Sequence, residues 1–308
     1  MKLLLTGAFK YSEEQLDSLK SLGYEILFIQ DERFPLEVDV SDIEAIVCNG
    51  LFLYNDIKKF ENLKFIQLTS AGLDRVPLDY IKDQGIKLFN AKGVYSVPMA
   101  EWVVLKILEI YKNSREFYEA QREHKWEKQR DLFELTNKTA AIIGFGDVGA
   151  EVAKRLKAFD VNIVGVGRSI KESQYVDEFY LIDQLYDVLK KSDIVILTLP
   201  LTKETTHLIN VKKIATMKDK SVLINVSRGG VIDEMALKGA LQKDKFLGVA
   251  LDVFENEPLP WESPLWNYKR VIVTPHNSFV SDKVNEKLFR LTMQNLKENI
   301  GNIYSKEV

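Results

Sequence analysis

Short apolar runs separated by polar, helix-like segments recur from end to end of the chain, and this beat restricts the fold more than any other feature. Runs at Leu3–Thr6, Glu25–Ile29, Ala45–Cys48, Lys64–Thr69 and Ile86–Asn90 have the length and bounding residues of buried strands, with segments such as SEEQLDSLKSLG between them. A second series follows at Ala140–Ile143, Asn162–Val166, Ile194–Leu199, Val222–Val226, Gly248–Val253 and Val271–Thr274. Strands and amphipathic helices in alternation build parallel sheets with helices on both faces. The expected fold class is α/β, with two doubly wound parallel-sheet domains.

Between the two series lies VPMAEWVVLKILEIYKNSREFYEAQREHKWEK, apolar at its start and charged at its end. That pattern predicts one long connecting helix at a domain boundary. The final segment places Val284, Leu288, Leu291, Met293 and Leu296 near helical spacing and is expected to return to the first domain. The expected division is therefore 1–98 with 283–308, and 99–282. At 308 residues and 46% hydrophobic composition, each domain has enough chain for its own core.

Lys and Arg are scattered and the formal net charge is −3, so the dense basic footprint of a nucleic-acid or anionic-membrane binder is absent. The single Cys48 cannot form an internal disulfide and, within EAIVC, reads as a buried strand thiol. No apolar run approaches the ~18 residues of a membrane span, MKLLLTGAFK is too short for a secretory signal, and no Cys/His spacing suits a metal. The expectation is a cytoplasmic protein with a small-molecule partner and no metal.

The sharpest local motif is the strand AAII followed by GFGDVG and a helical pattern through Val148, Val152 and Leu156, with Phe159 on the same face. Gly144 permits a tight turn, Gly146 lets the backbone approach a pyrophosphate, and Gly149 allows close helix–sheet packing. The backbone N–H groups at Asp147 and Val148 open a helix N-terminus that favours the anion. A dinucleotide site is expected. About 20 residues on, an NAD site normally offers an acid to the ribose hydroxyl. Here VGVGRSI has none. Gly167 takes the acid's place, Arg168 and Ser169 suit a 2′-phosphate, and Lys171 adds charge. NADP is therefore expected to be preferred, with NAD possible.

Three further motifs end strands of the second series: NVSRGG, ALDVFENEPLP and TPHNS. In open parallel sheets ligands gather at those ends. A cation, carboxylates and an imidazole would converge there from Arg228, Asp252, Glu255, Glu257 and His276. Together with the glycine turn, LTLPLTKETTHLIN and LINVSRGGVIDEMAL, in this order, the chain resembles the D-isomer-specific 2-hydroxyacid dehydrogenase family, which includes phosphoglycerate dehydrogenases and glyoxylate/hydroxypyruvate reductases. The resemblance runs nearly the whole length. EPLPWESPLW and VGRS are most similar to the glyoxylate/hydroxypyruvate reductase branch.

That resemblance implies a Rossmann cofactor domain, a flavodoxin-like substrate domain and an active site in the cleft between them. It implies that Arg228 binds the substrate carboxylate and polarises the carbonyl, that His276 is the general acid, and that Glu257 orients His276 and favours its imidazolium. Asp252 is implied at the nicotinamide, Pro200, Thr205 and Val226 at the cofactor. Ser70, Ala71 and Gly72 in QLTSAGLDRVPL are implied to offer backbone N–H groups to the substrate carboxylate, and the helix near residues 101–120 to build a homodimer. Glu255 reads as a loop carboxylate, Glu101 as structural, and His124 and His207 as structural histidines outside any catalytic motif. Trp126, Trp261 and Trp266 read as packing residues.

Reduction of small 2-oxo acids to D-2-hydroxy acids is thus the expected activity. Its rivals are an NAD-dependent phosphoglycerate dehydrogenase-like enzyme and, in a different class, a dinucleotide-sensing partner-binding protein resembling the C-terminal binding protein co-repressors. Formate dehydrogenases carry glutamine where Glu257 stands.

Overall fold

The computed structural model describes residues 1–304, and the chain divides into two compact units, Met1–Tyr95 with Ser281–Val308, and Ser96–Val280. Unit 1 begins β1 (Lys2–Thr6), α1 (Glu13–Ser21), β2 (Glu25–Ile29), β3 (Ala45–Cys48), β4 (Phe65–Leu68), α2 (Leu78–Asp83), β5 (Lys87–Phe89). Its strands pair in parallel in the order β2-β1-β3-β4-β5. This is the flavodoxin-like winding, whose order reverses between β1 and β3.

Because side chains alternate across a strand, the apolar runs feed two cores. Leu4, Ile46 and Ile66 face one cluster, while Leu3, Leu5, Ala45, Val47 and Phe65 face the other. Cys48 lies buried in the first, where burial pushes its thiol well above the usual range. Ser12 fixes the start of α1 through a capping box with Gln15.

Unit 2 contains α3 (Ser96–Tyr111), α4 (Ser114–Arg122), β6 (Thr139–Ile143), α5 (Asp147–Lys157), β7 (Asn162–Gly167), β8 (Glu178–Leu181), α6 (Leu185–Lys191), β9 (Ile194–Leu197), α7 (Val211–Thr216), β10 (Ser221–Asn225), α8 (Glu234–Leu241), β11 (Phe246–Leu251) and β12 (Val271–Val273). The parallel order is β12-β11-β10-β9-β6-β7-β8, a Rossmann winding extended by one strand and reversing between β6 and β9. A Cβ on Gly248 would come within 2.6 Å of Ile110, so α3 lies hard against β11.

The chain then supplies α9 (Val284–Tyr304) to unit 1. Leu296 is wholly buried among β1, β3 and β4 residues, Asn295 Nδ2 donates to the buried Gln67 Oε1 at 2.7 Å, and Leu288 packs with Phe9, Ala91 and Val94.

Two expectations are corrected. The long connecting helix is two helices, broken at Asn113, which adopts the left-handed conformation at φ 51°. Asn tolerates that region better than most residues, and its side chain turns to Gln129. His124, expected within the helix, follows the end of α4. The strand β8 was not anticipated, because EFYL is a half-exposed edge strand with little apolar periodicity. A smaller change is that α5 stops at Lys157, before Phe159. Among the described residues no helix is long and apolar enough to cross a membrane.

The burial of α9 has a measurable consequence. Leu296→Ala removes wholly buried methyl groups and leaves a cavity, so the protein should lose about 2–5 kcal/mol of stability in urea titration; an unchanged midpoint would show that α9 is not part of the unit 1 core.

Candidate active site

The glycine turn sits between β6 and α5. Gly144 has φ +93° and a Cβ there would come within 2.5 Å of Leu199, while a Cβ on Gly149 would come within 2.9 Å of Ile142. Both glycines are demanded by the chain itself. Gly146 differs, because a Cβ there would meet nothing nearer than the Gly144 carbonyl oxygen at 3.9 Å. The room it leaves suits a group from outside the chain. No side chain caps α5, so its first N–H groups face outward from a helix N-terminus, where an anion such as a pyrophosphate is favoured. The turn therefore fits a dinucleotide. Lys171 Nζ donates to the Phe145 carbonyl at 2.8 Å, and Phe179 of β8 packs edge-on against Phe145 and fills the space over Gly165 and Gly167.

Arg168 and Ser169 are exposed immediately after β7. On the turn after β9, Thr205 Oγ1 donates to the Pro200 carbonyl at 2.8 Å and accepts the Thr202 N–H at 2.7 Å, which fixes residues 200–205. Glu204 in that turn is held below the usual carboxylate range, first by the Thr202 hydroxyl and in lesser part by the positive charges of Lys203 and Arg168. Val226 is buried behind the end of β10.

At the carboxyl ends of β10, β11 and β12 the three motifs meet. Asn225 Oδ1 accepts the N–H and hydroxyl of Ser227, and its Nδ2 donates to the Arg228 carbonyl at 3.0 Å, so one buried side chain shapes the loop that carries Arg228. Sequence reasoning passed over Asn225; its signal was an Asn closing a strand before Ser-Arg-Gly. A Cβ on Gly229 would lie 1.8 Å from the Phe254 carbonyl carbon, so the Arg228 loop and the 254–255 backbone touch without clearance.

His276 Nδ1 is 2.8 Å from Glu257 Oε2. Its own N–H donates to the Asp252 carbonyl at 2.8 Å and to the Thr274 carbonyl at 3.0 Å, with φ at 50°. Asp252 is wholly buried: Oδ1 accepts Thr274 Oγ1 and the Asn277 N–H, and Oδ2 accepts the Ser278 N–H at 2.9 Å. The imidazole is thereby tied through Nδ1, leaving Nε2 for other chemistry.

Burial alone would raise the Glu257 carboxyl, but the His276 bond, the Phe254 N–H and the charges of His276 and Arg228 together hold it below its ordinary value. Arg228 Nη1 also donates to the Ser227 carbonyl at 2.8 Å. Arg228, Glu257 and His276 thus share one neighbourhood. An imidazole held through Nδ1, a guanidinium nearby and a glycine turn on the same sheet edge make up a site that could protonate a carbonyl oxygen beside an anionic group.

In unit 1, Ser70, Ala71 and Gly72 form the loop after β4. Asn90 Nδ2 donates to the Ala71 carbonyl at 2.6 Å, Ser70 Oγ to the Gly72 carbonyl at 3.0 Å, and the Tyr95 hydroxyl to the Thr69 carbonyl. Glu255, expected to be a plain loop carboxylate, is instead 2.9 Å from His207 Nε2. Trp126 and Trp261 are 95% and 85% exposed, so neither packs within this chain. Glu101 makes only a long 3.4 Å pair with Arg155. Among the described residues no cluster of His, Cys, Asp and Glu suits a metal.

Residues 104–278 match the family described as D-isomer specific 2-hydroxyacid dehydrogenase, NAD binding domain. The chain is 34% identical over 98% of its length to a D-3-phosphoglycerate dehydrogenase of Methanocaldococcus jannaschii, of which it spans 60%. It therefore spans somewhat over half the length of the phosphoglycerate dehydrogenases it matches. It is 37% identical over 71% of its length to a hydroxypyruvate reductase of Thermotoga maritima, covering 72% of that protein. Among solved structures it is similar to a D-isomer specific 2-hydroxyacid dehydrogenase from Xanthobacter autotrophicus in complex with NADPH and MES, with a TM-score of 0.81, 27% identity, and coverage of 98% and 95% of the two chains.

The Glu257 environment predicts a pH signature. A carboxylate whose folded pKa is depressed stabilises the fold at pH above its unfolded value, and that contribution is lost as pH falls through the folded pKa. Glu257→Gln should be less stable than wild type by a few tenths to about 1 kcal/mol at neutral pH, the discount reflecting solvent screening. The gap should close as pH drops below the ordinary carboxylate value of 4.5. Urea midpoints of the two proteins across pH check this; a gap independent of pH would show that Glu257 ionisation does not contribute.

Proposed function

Because the chain belongs to the D-isomer-specific 2-hydroxyacid dehydrogenase family, we propose that it is an NADP(H)-preferring reductase of small 2-oxo acids, of the glyoxylate and hydroxypyruvate kind, to D-2-hydroxy acids. The observation that carries this reading is the 2.8 Å bond from His276 Nδ1 to Glu257, beside Arg228, on the sheet edge that also bears the Gly146 turn.

Arg228 receives the substrate carboxylate in its planar fork, which binds both oxygens at once. His276 gives the proton on Nε2 to the carbonyl oxygen, while the Nδ1 bond to Glu257 keeps the ring oriented and offsets the charge it carries. Held at the Gly144–Gly149 turn, a nicotinamide dinucleotide would supply the hydride for the carbonyl carbon. Gly144, Gly146, Asp147, Val148 and Gly149 are the proposed pyrophosphate turn, and Pro200, Thr205 and Val226 border the same cofactor. Arg168 and Ser169 take the 2′-phosphate, because no carboxylate stands at Gly167 to receive a ribose hydroxyl. Ser70, Ala71 and Gly72 are proposed donors to a substrate carboxylate, and a homodimeric, cytoplasmic enzyme completes the reading.

Initial rates with NADPH and NADH against glyoxylate, hydroxypyruvate and pyruvate, together with 3-phosphoglycerate oxidation, test the proposal. NADPH with glyoxylate or hydroxypyruvate should be the best combination. Arg168→Ala should raise KM for NADPH about 10- to 100-fold through loss of charge-assisted bonds, leaving NADH little changed. His276→Ala should lower kcat by about 10²–10⁴ while cofactor binding persists. NADH preference with 3-phosphoglycerate as best substrate would replace this reading by the phosphoglycerate dehydrogenase one. Tight cofactor binding without turnover of any acid would favour a dinucleotide sensor.

A further inference from the structure

Unit 2 holds a second imidazole–carboxylate pair, distinct from His276–Glu257. His207 lies at the end of the 200–206 turn, with φ 49°. From it the chain zips onto the segment that follows Arg228. The His207 N–H donates to the Gly230 carbonyl at 2.8 Å, the Ile209 N–H to Val231 at 3.0 Å, and the Asp233 N–H to Ile209 at 3.1 Å. The side chain crosses to a third segment, placing Nε2 2.9 Å from Glu255 Oε1. An ionised carboxylate only accepts, so Nε2 carries the hydrogen in this bond.

Glu255 is itself interlocked with the start of α8. Its N–H donates to Glu234 Oε1 at 2.9 Å, and the Glu234 N–H donates back to Glu255 Oε1 at 3.2 Å. Each residue's backbone N–H is thus held by the other's carboxylate. Lys238 Nζ stands 3.1 Å from Glu234 Oε2 and His207 Nε2 2.9 Å from Glu255 Oε1. The Glu255 backbone in turn rests against Gly229, where an added Cβ would lie 2.3 Å from the Glu255 nitrogen. Gly229 follows Arg228, and Glu257 lies two residues beyond Glu255.

We propose that the His207–Glu255 bridge is a positioning pair that couples the 200–206 cofactor turn to the Arg228 and Glu257 loops, so that one contact sets both dinucleotide and oxo-acid affinity. The proposal rests on the reading of Arg228 as the carboxylate-binding residue. Without the bridge, Glu255 faces Glu234 with a single N–H donor, the 254–255 backbone swings off Gly229, and Arg228 loses its register. Neither His207 nor Glu255 touches the reacting atoms.

The test is a double-mutant cycle on the full chain with His207→Ala, Glu255→Ala and the double variant, plus His207→Gln, whose amide N–H reaches the place of Nε2. NADPH dissociation constants come from nicotinamide fluorescence without acid, and KM and kcat from hydroxypyruvate reduction at saturating NADPH. Each alanine variant should raise the NADPH dissociation constant and the hydroxypyruvate KM about five- to tenfold with kcat little changed, and the double variant should be no worse than the poorer single. His207→Gln should restore near-wild-type constants. Unchanged constants in the singles, additive losses in the double, or a lowered melting temperature with intact constants would each overturn the coupling. Should an alanine variant fail to fold, His207→Gln decides: near-wild-type constants uphold the bridge, and constants about five- to tenfold poorer than wild type overturn it. Absence of hydroxypyruvate turnover in wild type would sink the functional reading alone, because the NADPH constants and their rescue still judge the bridge.

Discussion

The arrangement of unit 2 depends on one buried carboxylate. A charge removed from water is tolerated only when hydrogen bonds replace its hydration. Asp252, at the end of β11 and wholly buried, meets that condition with donors drawn entirely from the segment after β12: Thr274, Asn277 and Ser278. The neighbouring strand is thereby forced to end in a loop folded around Asp252, and His276 lies in the middle of it. A histidine in the left-handed region is strained by roughly 1–2 kcal/mol. The strain persists because the backbone on both sides is over-determined, including the His276 N–H held by the Asp252 carbonyl. The imidazole is thus placed by a group that never leaves the interior, and Glu257 has only to choose its rotation.

Within the motifs of unit 2, three glycines are demanded by close protein contacts and Gly146 is not. Gly144, Gly149 and Gly229 each have protein atoms where a Cβ would stand. They enforce a tight turn, a close helix and a loop contact. Gly146 has open space, so no contact within the chain demands a glycine there. The uncapped N-terminus of α5 beside it would favour an anionic group. Neither observation needs the family for its force, and together they explain why a dinucleotide suits this turn.

Much of this was legible in the amino-acid order, and the limits have physical causes. The inner strands β3, β4, β6, β9 and β10 are buried on both faces and mostly apolar, which makes them legible as short runs. Edge strand β8 escaped because half of it faces solvent and EFYL has no clean period. The break at Asn113 escaped because helical periodicity continues on either side of a single left-handed residue. Arg228, Glu257 and His276 stood out as charged groups in strand-end motifs. Asn225, which shapes the Arg228 loop through partners two and three residues on, did not, since an uncharged amide closing a strand gives little signal, and Glu255 read only as a loop carboxylate because its partner His207 lies 48 residues away.

The two imidazole–carboxylate pairs show how the same chemistry is put to opposite uses by choice of nitrogen. His276 meets Glu257 through Nδ1, which leaves the outer Nε2 to work. His207 meets Glu255 through Nε2, spending the outer nitrogen on the protein itself. The difference follows from backbone placement: both residues adopt positive φ, but His276 is pinned beneath Asp252 while His207 is zipped to the strand-like run after Arg228. One ring is therefore presented and the other consumed. Both pairs converge on the 254–257 segment, through Glu255 and Glu257, and Gly229 presses on that segment from the Arg228 side. A short stretch of loop thus meets the Arg228 loop, His276 and the end of the 200–206 turn at once.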